Sequence, residues 1–133
     1  MAVAALPGTW LHEVAHLFVG MLLGARPVSF TLWPRKSGNT WILGSVGFKR
    51  INVWNAAPVA LAPLMLFGLA WMGFHYLLRP SFDEGRYGWW FALGYPIAAC
   101  FYSGLPSTTD LRVGALSICM YGAAAGLVLA WAH

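Results

Sequence analysis

Trp10-Leu11-His12-Glu13-Val14-Ala15-His16-Leu17-Phe18 lies inside an apolar run from Met1 to Gly24. On an α-helix residues i and i+4 lie one above the other, so His12 and His16 present two imidazoles to one point, as two ligands of one metal ion must. Glu13 is offset around the helix from His12 and can reach a water beside the metal without ligating it, which is the geometry of a general base. Zinc lowers the pKa of such a water to about 7, so Glu13 need only relay a proton. The competing reading is a chance match, because the pattern fixes only three positions. Against it stands the scarcity of acid: the chain has four Asp and Glu altogether. An unpaired carboxylate inside a membrane costs about 2.5 to 3.5 kcal/mol on insertion scales.

The surrounding composition sets the fold class. Of 133 residues 59% are hydrophobic and 9% charged, far from the balance of a soluble domain. The expectation is an all-α polytopic membrane protein of about four transmembrane helices, forming a single membrane-embedded unit over residues 1–133. The four runs long enough to span are 1–24, 53–78, 88–105 and 111–132, each near the ~20 residues a bilayer core requires. A cleaved signal peptide fits the first run poorly, since it lacks a basic leading region and carries charge in its middle. Thr9, after the Pro7-Gly8 break, is the expected N-cap of the regular part of the first helix. Cys100 and Cys119 fall in spans without metal-type spacing and read as small hydrophobes.

The formal charge of +4 does not call for nucleic acid as a partner, because the basic residues sit where they orient a membrane protein. Arg26, Arg35, Lys36, Lys49 and Arg50 lie between the first two spans, Arg112 between the last two, and Arg79 and Arg86 between the middle pair. The positive-inside rule then puts the 25–52 connection in the cytosol and both termini outside, with the lipid bilayer as the principal partner. Asp83 and Glu84, beside Arg79 and Arg86, read as a solvated loop.

The 25–52 connection does not read as helix. Val28 to Leu32 alternates, Pro34 to Asn39 is turn-like, and Thr40 to Phe48 is β-leaning with glycines, so a β-hairpin over 27–49 is expected. Its Trp33, Trp41, Ile42, Leu43, Val46 and Phe48 suggest partial insertion, with the hairpin covering the His pair or lining its entrance. An ordinary interfacial loop with aromatic anchors is the alternative. An exposed strand edge there could pair with an extended substrate. Gly20 with Gly24, and Gly122 with Gly126, read as helix-packing faces. Pro58 and Pro63 kink the second span or delay its start. His75 and His133 read as interfacial.

A catalytic zinc takes three protein ligands. Asp110 is the strongest candidate for the third, because it is the one carboxylate apart from Glu13 that adjoins spanning segments on the cytosolic side. It competes with two other roles, a cap for the last helix and a partner for Arg112. His12 lies roughly 21 Å of helix from Arg26 at ~1.5 Å per residue, whereas Asp110 is two residues from Arg112. Asp110 reaches the His pair only if the 105–109 segment re-enters, the helices tilt or Arg112 snorkels.

With His12-Glu13-x-x-His16 in a first span, a basic β-rich connection and Asp110 after a third, the chain resembles the site-2 protease family of intramembrane zinc metalloproteases. The resemblance covers about Leu6 to Arg112. It implies zinc held by His12, His16 and Asp110, Glu13 as catalytic base, another protein's transmembrane segment as substrate, and a bacterial or archaeal cell membrane as location. Around the third ligand the family pattern is Asn-x-x-Pro-x-x-x-Leu-Asp-Gly. Here Pro106 precedes Asp110 by four residues and Leu111 follows it, without the Asn or the Gly. A membrane-embedded metal-binding or accessory protein without turnover is the alternative from a different class.

Overall fold

The computed structural model describes residues 2–33, 35–37, 40–42 and 44–132. The expected turn at Pro34 to Asn39 falls partly outside these residues. Leu43, His133 and the side chains of Trp41 and Ile42 lie outside them as well.

Helix α1 runs Ala2–Leu22 straight through Pro7, so Thr9 is not its N-cap. Gly8 is needed instead for contact: a methyl group there would overlap the Ser103 hydroxyl of a later helix. The C-terminus of α1 is a Schellman motif. Gly24 adopts φ +67, the Ala25 N–H donates to the Gly20 carbonyl at 2.8 Å and the Gly24 N–H to that of Met21 at 3.1 Å. Glycine at this left-handed position closes the last carbonyls and turns the chain back on itself.

The reversed chain folds along α1 as one long antiparallel hairpin. Strand β1 (Pro27–Thr31) pairs with β4 (Ser45–Phe48), and β2 (Arg35–Ser37) pairs with β3 (Thr40–Ile42). An irregularity between Pro27 and Ser29 interrupts the ladder near its base. The hairpin is fixed to α1 at both ends. Phe48 packs on Gly20, while the Trp10 indole N–H donates to the Leu32 carbonyl at 3.1 Å and its ring meets Trp33 edge-on at 6.3 Å.

The remainder is helical but not as expected. The 53–78 run is broken into α2 (Ala56–Ala60), a 3₁₀ turn (Ala62–Leu64), α3 (Met65–Gly73) and a π-helical turn (Phe74–Leu78), after which comes α4 (Arg79–Asp83). Pro63 starts the break, since it has no N–H for the Val59 carbonyl four residues back. Helix α5, Tyr87–Ser103, has 17 residues, about 26 Å of rise against a hydrocarbon core of ~30 Å. In α1 two imidazoles and a carboxylate dilute the apolar sequence. One helix among the described residues, α6 (Thr108–Trp131, 24 residues), is long and apolar enough to cross a membrane. The chain is therefore not the four-span polytopic bundle that its composition suggested.

The core is made of small side chains: Ala15, Ala25, Ala56, Ala57, Ala60, Ala62 and Ala70 are buried, with Val59, Leu66 and Leu78. Large apolar residues face outward, Trp131 at 94% and Trp71 at 69% exposed. Helices α2 and α6 touch closely at Gly114, where an added Cβ would lie 2.6 Å from that of Ala60. Beside this contact the Ser117 hydroxyl donates to the Val53 carbonyl and accepts from the Ala57 N–H at 2.9 Å, satisfying a free donor at the start of α2. Replacing Ser117 with Ala leaves both backbone groups buried without a partner. A loss of about 1 to 3 kcal/mol is expected, read as a lower midpoint of thermal unfolding in detergent. Gly122→Ala, which enters open space on the same helix, should be neutral or stabilising by about 0.5 to 1 kcal/mol.

Candidate metal centre

Four segments converge on the His pair. The ring of His12 projects from the middle of α1 towards the end of α5, where its Nδ1–H donates to the Ser103 carbonyl at 2.9 Å. One turn on, the buried His16 donates Nδ1–H to the Val59 carbonyl at 2.7 Å. Both carbonyls stand at helix ends: that of Ser103 has no helical N–H beyond it, and that of Val59, which also accepts a cap N–H at the end of α2, gives His16 its second lone pair. The proline at 63 cannot donate to Val59, and Ser103 ends α5 before Gly104 and Pro106. A carbonyl only accepts, so each Nδ1 carries the hydrogen, and each neutral ring turns the lone pair of its Nε2 inward. The two Nε2 atoms lie 3.2 Å apart.

Asp110 stands against both. Its Oδ2 is 3.2 Å from His12 Nε2 and its Oδ1 3.1 Å from His16 Nε2. It also caps α6. The Ser107 N–H donates to Oδ2 at 2.7 Å, and the Asp110 N–H donates to the Ser107 hydroxyl at 3.2 Å, a reciprocal capping box. Capping and approach to the imidazoles thus occur in one rotamer and do not compete. Among the described residues Arg112 has no ion pair with it. The distance implied by counting residues from the basic connection is closed because α6 begins level with His12, so that its first turn delivers Asp110 to the middle of α1.

One ligand atom from each of His12, His16 and Asp110 lies within 4.8 Å of the others. Bonds of ~2.1 Å at a tetrahedral angle separate neighbouring ligand atoms by about 3.4 Å; the two imidazole nitrogens are 3.2 Å apart, and each lies 3.1 to 3.2 Å from a different oxygen of Asp110. Two inward lone pairs facing a carboxylate form a group that could hold a metal ion. Two nitrogens and one oxygen suit zinc, and the carbonyl partners on the far side of each ring are those that fix metal-bound histidines.

Glu13 is half-buried and shares with the triad a cavity of about 670 Å³. Its opposite wall is the hairpin, through Gly44, Ser45, Val46 and Phe48. Tyr102, Leu105 and Val113 line it from α5, the α5–α6 turn and α6. Glu13 is outside the ligand group but in the same space, as a base must be. Asp83 and Glu84 are remote from it, paired with Arg79 at 4.0 Å and Arg86 at 2.8 Å. His75 stacks on Trp71. Val59 and Ser103 escaped the sequence reading, although Pro63 four residues after Val59 is a legible sign of a carbonyl without its regular helical donor.

No family model, curated protein or solved structure matches the chain.

Removing any one ligand should abolish metal binding. Protein purified with zinc and assayed by elemental analysis is expected to hold one ion per chain. His12→Ala, His16→Ala and Asp110→Ala are each expected to hold none, and Glu13→Gln to keep it. Retention of the ion by Asp110→Ala would remove Asp110 from the ligand set.

Proposed function

We propose that the chain is a membrane-associated zinc metalloendopeptidase of the site-2 protease type, hydrolysing a peptide bond in or near a transmembrane segment of a substrate protein. The observation that carries this reading is the convergence of His12, His16 and Asp110 beside Glu13 in one cavity. A zinc ion held by the three ligands would supply Lewis acidity and lower the pKa of an attacking water to about 7. Glu13 takes the proton from that water and returns it to the leaving amine, and the rest of the site keeps the carboxylate in reach. The Val59 and Ser103 carbonyls hold the imidazoles in the ligating tautomer, and the Ser107 cap holds Asp110.

The surroundings support a membrane setting and an apolar substrate. Exposed Trp, Phe and Leu cover helices whose contacts are made by Ala and Gly, the reverse of a water-soluble pattern and typical of packing within lipid. The five basic residues from Arg26 to Arg50 favour a cytosolic hairpin. The cavity walls at Val46, Phe48, Ile51 and Val113 are apolar. Strand β4 pairs on one side with β1, and its other edge could take an extended, locally unwound substrate segment.

The decisive comparison is between native protein and Glu13→Gln, both carrying zinc, on a membrane-protein substrate in detergent or proteoliposomes. Native protein should cleave. The variant should lose at least about 100-fold in turnover, the scale of general-base catalysis, with its metal content intact. A chelator should abolish native cleavage and added zinc restore it. Equal cleavage by both forms rules out the assigned base, and bound metal without cleavage by either points to a metal-binding protein without turnover.

A further inference from the structure

The hairpin does more than wall the cavity. Between its two attachments to α1, at Trp10 and at Gly20, its backbone passes directly over Glu13. A Cβ added at Gly44 would lie 2.9 Å from Glu13 Cγ, 3.5 Å from Glu13 Cδ and 3.3 Å from the Thr9 methyl group. The first distance is closer than real side chains tolerate, and the atom met is in the middle of the Glu13 side chain, where the rotamer is set.

We propose that Gly44 is a positioning residue: bare backbone at this point of the hairpin seats the Glu13 side chain against α1, fixing where its carboxylate stands relative to His12, His16 and Asp110. The proposal rests on Glu13 being the base. Three features support it. Glu13 receives this contact from above while Thr9, one turn earlier on the same helix, flanks it. The hairpin cannot lift away to relieve a clash without breaking the Trp10 to Leu32 hydrogen bond or the Phe48 packing on Gly20. Gly44 and Glu13 line the same cavity, so a displaced carboxylate moves within the space where substrate must bind. Reacting groups tolerate little misplacement, and an error of about 1 Å can cost 100-fold in rate.

Native protein, Gly44→Ala, Glu13→Ala and the double variant are prepared with zinc and compared in thermal unfolding, metal content and turnover. In the native background Gly44→Ala should lower the unfolding midpoint by several degrees. It should also cut kcat by about tenfold or more, with KM and metal content unchanged. In the Glu13→Ala background the Glu13 atoms are gone and only the Thr9 methyl at 3.3 Å remains, so the same substitution should lower the midpoint by clearly less. In a Glu13→Asp chain, which lacks one methylene, Gly44→Ala should cost less turnover than it does with Glu13. An equal fall of the midpoint in both backgrounds shows that Gly44 serves the hairpin alone and overturns the proposal. So does full activity of Gly44→Ala. If native protein cleaves nothing, the protease reading falls by itself, and the two midpoint differences still decide whether the contact exists.

Discussion

The hydrogen bonds on the outer side of the two imidazoles are the constraint on which the site depends. His12 and His16 would be mobile side chains if nothing held their Nδ1 atoms. Each is held by a backbone carbonyl, Ser103 at 2.9 Å and Val59 at 2.7 Å. Both carbonyls lie at the ends of other helices, Ser103 closing α5 and Val59 taking a cap N–H at the end of α2 while its second lone pair faces His16. An α5 continued past Ser103 would have used the Ser103 carbonyl internally. The helix ends therefore present the two acceptors that choose the tautomer and aim both Nε2 lone pairs at Asp110.

Helix packing serves the same end. Four segments can meet at one point only if their axes come close, and alanine and glycine permit that where larger side chains would hold the axes apart. Gly8 against Ser103 brings α1 to the end of α5, and Gly114 against Ala60 brings α6 to α2. Bulky apolar residues are displaced to the outside, where Trp71, Phe91 and Leu127 are mostly exposed. The composition that suggests a bundle of spanning helices thus reflects an apolar exterior as much as helix length. Total hydrophobicity does not report where a helix is interrupted.

Legibility tracked the range of the interaction. The His12, Glu13 and His16 arrangement is local, fixed by the pitch of one helix, and could be read from spacing. The hairpin was visible as alternation, and its strands do pair on one another between residues 27 and 48. The four spans were misread because Pro63 was taken to kink or delay the second span where it ends a helix, and because α1 carries three polar groups in its middle. The continuous helix through Pro7 was missed because the Gly8 contact with Ser103 joins opposite ends of the chain and has no local trace. The same holds for Gly44, whose role depends on a hairpin folding back over α1.

Asp110 shows how one carboxylate can satisfy two demands that seemed exclusive. An ionised carboxylate has about four lone-pair directions on two oxygens. One on Oδ2 accepts the Ser107 N–H, which closes the N-terminus of α6, and the others remain for the inner nitrogens of His12 and His16 or for an ion between them. The cap fixes the side-chain rotamer, so an ion bound there would cost little entropy in ordering Asp110. The positive end of the α6 dipole lies beside the same carboxylate and complements the negative charge that a metal ligand must carry. Helix initiation and the placing of Asp110 beside the two imidazoles are then a single structural event, so the cap and a ligand role, which sequence alone set in competition, are compatible.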